Sequence, residues 1–209
     1  MIMTQKNIFK QFLAGQFPDS HDAILEKFER YHAWLVNENQ KINLISRQTA
    51  PDDIWTVHFL DSLLSTKYVD FGGGKILDFG TGGGLPGIPI AIVYNNAEVT
   101  LLDSRKKKIK AVSEAAKHLG LGNCRFLDTR LEDLGEQYQG TFDFIVSRSV
   151  KIEPAYAPLL KKLLKPQGKI ILYKSINLDD VKQFKNAQIF DAGTPELGVR
   201  KIIVIVVQR

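Results

Sequence analysis

The stretch KILDFGTGGGLPGIPIAIV, residues 75–93, limits the fold more than any other part of the chain. An apolar run short enough for a strand meets five glycines and two prolines before an apolar run resumes. A strand that turns on glycines straight into a helix is the opening of a βαβ unit. The remaining chain keeps that rhythm. Strands are predicted at 75–79, 98–103, 124–128, 142–147 and 168–173, with helices at 86–94, 105–119 and 154–165 between them. Apolar strands alternating with helices give a mostly parallel sheet covered on both faces. The last run, RKIIVIVVQR, follows KIILYKS after a polar connection and is expected to join the sheet antiparallel. Residues 1–66 read differently. Ile24, Leu25, Phe28, Tyr31, Leu35 and Val36 recur at helical spacing. Thr49, Pro51 and Asp52 look like the cap and first turn of another helix, with Ile54, Val57, Leu60 or Asp61, and Leu64 as its face. The expected organisation is a helical region over 1–66 and an α/β unit over 67–209, packed as one.

At 209 residues, 44% of them hydrophobic and 24% charged, the chain has the composition of an ordinary folded domain. Its one cysteine, Cys124, excludes an intrachain disulfide or a multi-cysteine metal site, and no metal is expected. A reducing, cytoplasmic setting follows as an expectation. The beginning lacks the apolar core of a secretory signal, and Ile202–Val207 is too short to cross a bilayer, so no membrane role is expected. The formal net charge of +5 suits an enzyme with a phosphate-bearing substrate.

Gly82–Gly87 satisfies G-x-G-x-x-G, a pattern shared by several nucleotide-binding classes. Two acids narrow it. Asp78 ends the first strand two residues before Gly80, where a carboxylate would repel a phosphate and suit an ammonium group. Asp103 ends the next strand some twenty residues on, where an acid accepts from ribose hydroxyls. A ligand with a ribose, an amine and no pyrophosphate is S-adenosylmethionine. Two plainer roles stay open: Asp78 capping the turn, and Asp103 capping the next helix.

Several segments together give a family resemblance. INLIS (42–46), HFLDS (58–62), DFGTGGGLPGIP (78–89), LLDS followed by RKKK (101–108), TRLED (129–133) and VSRSV (146–150) match, in order and spacing, the motifs of the bacterial RsmG (GidB) family. That family methylates N7 of a guanine in 16S ribosomal RNA. The resemblance implies a seven-stranded, Rossmann-like class I methyltransferase sheet with an N-terminal helical region, and S-adenosylmethionine as cofactor. It implies 16S rRNA or the small ribosomal subunit as partner; a monomer is expected. By motif, Asp78, Gly80, Gly82, Gly84 and Leu85 would surround the methionine end, Asp103 the ribose, and Leu131 and Glu132 the adenine. Arg148 would meet both cofactor and substrate. Arg148, Arg130 and Lys174 are the expected catalytic residues, and Asn43 and His58 the expected further substrate contacts. The chain departs from the family at Gly83, at Ser149, and at Ser175, where the family's A-L-K-G segment has glycine.

Attack by guanine N7 needs no general base, because its lone pair lies in the ring plane and carries no proton. Arg148 could donate to guanine O6, a pairing common in base recognition. His58 and Asp61, three apart, share a helix face and suit a structural pairing or a substrate contact. Asn43 is a turn residue or a site residue. The run Arg105–Lys108 with Lys110 is a solvated face or a set of phosphate contacts. Two other functions are weighed. One is a nicotinamide-dependent oxidoreductase, for which no hydride-transfer acid or base can be named. The other is a non-catalytic RNA-binding or assembly protein on a methyltransferase fold.

Overall fold

The computed structural model describes residues 3–207. Its centre is a seven-stranded sheet in the order β3-β2-β1-β4-β5-β7-β6. The strands are β1 (Lys75–Phe79), β2 (Glu98–Leu102), β3 (Cys124–Leu127), β4 (Phe142–Arg148), β5 (Leu164–Lys174), β6 (Ala187–Asp191) and β7 (Lys201–Val206). The first five run parallel, and β7 lies antiparallel between β5 and β6. From β1 the chain moves outward one way to β2 and β3, then returns to place β4 on the other side of β1. Such a reversal opens a crevice at the carboxyl ends of the two central strands, where open α/β sheets bind ligands.

Successive residues of each strand feed opposite cores. Ile171, Tyr173, Ile202 and Val204 join one cluster, whereas Ile170, Leu172, Ile203 and Ile205 join the other. A sheet buried on both faces explains the unbroken apolar runs in the sequence. The second core is completed by α6 (Tyr156–Leu163), through Leu160 and Leu163. The first holds α4 (Gly87–Val93) and α5 (Lys106–Leu119), and also the N-terminal helices α1 (Gln5–Gln16) and α2 (His21–Asn39). Phe9, Phe28, Tyr31 and Phe59 pack ring against ring, with Phe9 and Phe28 edge to face at 4.8 Å. Because Phe9, Phe28, Ile76 and Leu101 share one apolar cluster, the N-terminal helices form part of the layer that covers the sheet. No helix among the described residues is long and apolar enough to cross a membrane.

Three local expectations differ from the structure. The helix expected from Thr49 begins at Ile54, opens with π-helical turns over Ile54–Leu60, and tightens through α3 (Asp61–Leu63) to a 3₁₀ turn. Thr49 lies outside it and turns its hydroxyl toward His58. The helix expected at 154–165 ends at Leu163, since Leu164 already pairs with Phe142 as β5 begins. The resemblance implies seven strands, but the apolar pattern locates only six; β6 escapes it because Gln188 and Ile189 are exposed on this edge strand and no apolar alternation marks it.

Candidate functional site

The glycine turn after β1 is held by side chains beneath and behind it. Asp78 Oδ2 accepts from Thr81 Oγ1 at 2.6 Å and from the Gly87 amide at 2.8 Å. Gly80 and Gly82 adopt φ of +76° and +57°, which side chains with a Cβ resist. From the other side, Tyr31 of α2 donates to the Gly83 carbonyl at 2.8 Å. A Cβ on Gly83 would lie 2.9 Å from the Leu44 carbonyl oxygen, so the N-terminal region sits directly on the turn. Asn39, at the end of α2, accepts from the amides of Leu44 and Ile45 and sets the 44–46 segment over the cleft. Nothing in the sequence reading singled out Asn39; its one signal was a polar residue ending a helix before a turn.

Two adjoining clefts open at the carboxyl edge of the sheet. The first, about 650 Å³, is lined by Leu44, Gly80, Gly82, Leu85, Asp103 and the Arg130–Glu132 segment, among others. That volume is typical of a small-molecule site. Asp103 is fixed by two amides: Oδ2 accepts from Gly82 at 3.0 Å and Oδ1 from Arg105 at 2.9 Å. Each oxygen keeps a lone pair for a hydroxyl. Arg105 and Lys108 border this cleft, whereas Lys106 and Lys107 are exposed on α5.

The second cleft, about 880 Å³, is lined by Val57, His58, Asp61, Tyr173, Lys174, Asp180 and Arg200, with others. His58, Arg148, Ser149 and Val150 border both clefts and form the wall between them. Arg148 is nearly buried here. Its Nη1 donates to Asp61 Oδ2 at 2.9 Å and to the His58 carbonyl at 3.3 Å, and its Nη2 faces His58 Nδ1 at 3.4 Å. Asp61 Oδ1 accepts from Arg200 Nε at 2.9 Å, so one carboxylate carries two guanidiniums. Burial and the Arg148 charge drive the His58 pKa down to about 3, which keeps the ring neutral with Nδ1 free to accept.

The sequence-predicted residues divide clearly. Gly80, Gly82, Leu85, Asp103, Arg130, Leu131, Glu132, His58 and Arg148 all border the first cleft. Asp78, Gly84, Asn43 and Lys174 do not. Asp78 is fully buried and turned inward, because its carboxylate is needed to close the turn. Gly84 faces the helices: a Cβ there would lie 2.8 Å from Ile88 and 3.0 Å from the Tyr31 hydroxyl. Asn43 is exposed and borders neither cleft. Lys174 reaches the second cleft, yet its ammonium is taken by Asp180 at 2.5 Å and the Val150 carbonyl at 3.2 Å. Residues that the sequence reading passed over entirely are Asp180 and Arg200.

S-adenosylmethionine fits the residues present in the first cleft. The turn offers bare backbone at two left-handed glycines, and Asp103 is preset with spare acceptor capacity. Asp78 Oδ1 is buried with no hydrogen-bond partner among the described residues, and burial raises its carboxyl to about 6. An acid under the turn, with no cation among them paired to it, offers a pyrophosphate no compensating charge.

Comparison with known proteins agrees. The family model for rRNA small subunit methyltransferase G (GidB) matches residues 24–201. The protein named ribosomal RNA small subunit methyltransferase G in Christiangramia forsetii is 38% identical over 87% of this chain and 87% of its own length. The one so named in Syntrophus aciditrophicus is 39% identical over 77% of this chain and 69% of its own. In fold, the chain resembles a crystal structure of a SAM-dependent methyltransferase from Aquifex aeolicus, with a TM-score of 0.60 at 16% identity over 74% of this chain and 93% of that one. The chain therefore belongs to the rRNA small subunit methyltransferase G family.

Proposed function

We propose that this protein transfers a methyl group from S-adenosylmethionine to N7 of a guanine in the 16S rRNA of the small ribosomal subunit. The observation that carries the reading is the common wall. Two clefts meet at His58, Arg148, Ser149 and Val150, so a ligand on the glycine turn and a base in the second cleft would face each other there. When bound, the cofactor supplies an electrophilic methyl group on a sulfonium. The chain's own part is to bind and to orient, where alignment is worth at most about 7–11 kcal/mol.

Gly80, Gly82 and Leu85 receive the methionine end, Asp103 the ribose, and Leu131 with Glu132 the adenine. Arg148 keeps donors beyond those spent on Asp61 and His58, and these are the ones available to guanine O6. The purine ring gains positive charge as N7 is methylated, so a bare guanidinium beside it would oppose the reaction. Asp61, shared between Arg148 and Arg200, offsets part of that repulsion. Neutral His58 adds no further charge. Arg105, Lys108 and Arg130 at the rim are candidates for RNA phosphates. We take the protein to act as a monomer in the cytoplasm; a single buried thiol at Cys124 suits a reducing compartment.

The test is incubation with methyl-labelled cofactor and small-subunit particles from a strain lacking the enzyme, followed by mapping of the modified base. Label at one guanine N7 is expected. Label elsewhere, or none, would sink the reading, and none together with tight particle binding would favour the non-catalytic assembly role.

A further inference from the structure

The wall between the clefts has almost no regular structure, and side chains from a distant segment hold it. β4 ends at Arg148, and residues 149–152 then run without strand or helix. Backbone in such a run must find other partners for its polar groups. Here the Val150 carbonyl accepts from Lys174 Nζ at 3.2 Å, and the Ile152 amide donates to Asp180 Oδ2 at 2.8 Å. The same Asp180 oxygen takes Lys174 at 2.5 Å. Gln183 Nε2 donates to the carbonyls of Ile152 and Asp180 at 2.8 and 2.7 Å. The Lys174 and Asp180 side chains are 12% and 6% exposed, so this is a largely buried ion pair, well shielded from solvent. On its other side the wall rests on the cofactor turn: a Cβ built on Gly80 would lie 2.4 Å from Val150 Cγ2.

We propose that the Lys174–Asp180 pair, braced by Gln183, is a latch that fixes residues 149–152 over Gly80 and so couples the cofactor cleft to the base cleft. Lys174 is then a positioning residue acting through Val150. Naming the two ligands rests on the function proposed above, whereas the latch itself is a property of the ligand-free protein. The competing role, a lysine released from Asp180 to pair with an RNA phosphate, makes an opposite prediction. Removing the Asp180 charge would free that lysine and tighten RNA binding, whereas it breaks a latch. The effect should also reach a ligand that neither residue touches, since Lys174 and Asp180 border only the second cleft.

The experiment titrates S-adenosylhomocysteine calorimetrically into the full chain, with no RNA present. Asp180→Asn and Lys174→Met should each weaken binding on the order of tenfold, and the double variant should be no worse than either single, as for residues acting as one unit. Lys174→Arg should recover most of the loss. Gln183→Ala, which leaves both charges in place, should cost a few-fold and serves if the charge variants fold poorly. In the ligand-free protein, amide exchange at 149–152 should accelerate in Asp180→Asn while β2 and β3 stay protected. Wild-type affinity and wild-type exchange in Asp180→Asn would overturn the latch, as would additive losses in the double variant or tighter RNA binding. If the wild-type chain binds no nucleoside, the cofactor reading falls, and the exchange result alone decides the latch.

Discussion

The two clefts are built on opposite principles. The first cleft, proposed for the cofactor, is mostly backbone: glycines in left-handed conformations, amides holding Asp103, and a carbonyl tied by Tyr31. The second, proposed for the base, is mostly side chain: Asp61 bridging Arg148 and Arg200, Lys174 on Asp180, and His58 against Arg148. Backbone sites depend on residues that can hold left-handed φ and, at Gly80, on the absence of a Cβ, whereas side-chain sites depend on charges staying paired. The two should therefore break in different ways.

The largest effect is expected at Gly80. Alanine there meets both a φ of +76° and the 2.4 Å approach of Val150, so the turn or the wall must move. A displacement near one ångström at a reacting centre costs on the order of a hundredfold. Gly80→Ala should slow methyl transfer by about that factor and also weaken nucleoside binding, with secondary structure unchanged; single-turnover assay, calorimetry and circular dichroism check this. Unaltered affinity would mean that the backbone does not define this cleft.

Arg148→Ala tests the other principle. It removes one of two partners from a carboxylate that is 9% exposed, while Arg200 remains. Breaking a buried pair costs about 3–5 kcal/mol, and the surviving arginine should hold the loss near about 3. Methyl transfer should vanish while nucleoside binding stays within a few-fold, because Asp103 and the glycines are untouched. Urea titration, single-turnover assay and calorimetry separate the three quantities. Retained methylation would remove Arg148 from the site.

The same contrast explains what could be seen in advance. A backbone cleft leaves a local trace: a strand, a cluster of glycines within a few residues, and an acid at the end of the following strand. Gly80, Gly82 and Asp103 lie at the cleft as expected, because their geometry comes from residue type and short spacing, whereas Gly84 faces the helices. A side-chain cleft leaves no such trace. Asp61 finds Arg148 and Arg200 at 87 and 139 residues' separation, and only the sheet order brings them together. Arg200 was invisible for that reason; Asp180 lies only six residues from Lys174, but a nearby acid and lysine do not reveal that they pair or that the acid also holds the Ile152 amide. Asp78 shows the limit from the other direction. Its position suggested a ligand contact, but sequence does not say which way a side chain turns at a strand end, and this one turns inward. The π-helical turns at Ile54–Leu60 were equally hidden, since an amphipathic pattern is read at an α-helical period.

A smaller effect is expected from pH. His58 is pushed from 6.5 to about 3 by burial and by Arg148, so the unfolded chain binds its proton more readily than the folded one. Its contribution to stability is complete above about pH 6.5 and declines as pH falls toward 3. Asp78 acts in the opposite sense: raised to about 6, it favours the folded state below about pH 4 and loses that contribution as pH rises through 6. Between pH 6.5 and 5, the urea midpoint of His58→Gln should gain on that of the wild-type protein as pH falls, because the histidine's loss is removed while the opposing contribution of Asp78 remains. The same slope in both proteins would show that His58 is protonated without penalty, against its contact with Arg148.

The smallest effect is the most direct comparison of the two clefts. Ser149 holds φ of +61° in the wall, a conformation that the cofactor turn reserves for glycine. Holding a residue with a Cβ there costs about 1–2 kcal/mol. Glycine would remove that strain but loses more conformational entropy on folding, about 0.5–1 kcal/mol. Ser149→Gly should therefore raise stability by no more than about 1.5 kcal/mol, within reach of a urea titration. Its cost should appear in function. Unlike the glycines of the turn, which are clamped by Asp78, Asp103 and Tyr31, residue 149 is followed by a wall held only through side chains. A flexible hinge there should lower kcat a few-fold, because Arg148 would be presented less firmly to the base, and leave nucleoside affinity nearly unchanged, because the Lys174 and Asp180 contacts still fix Val150 and Ile152. If kcat and stability both rise, the left-handed serine serves neither cleft and its strain is incidental.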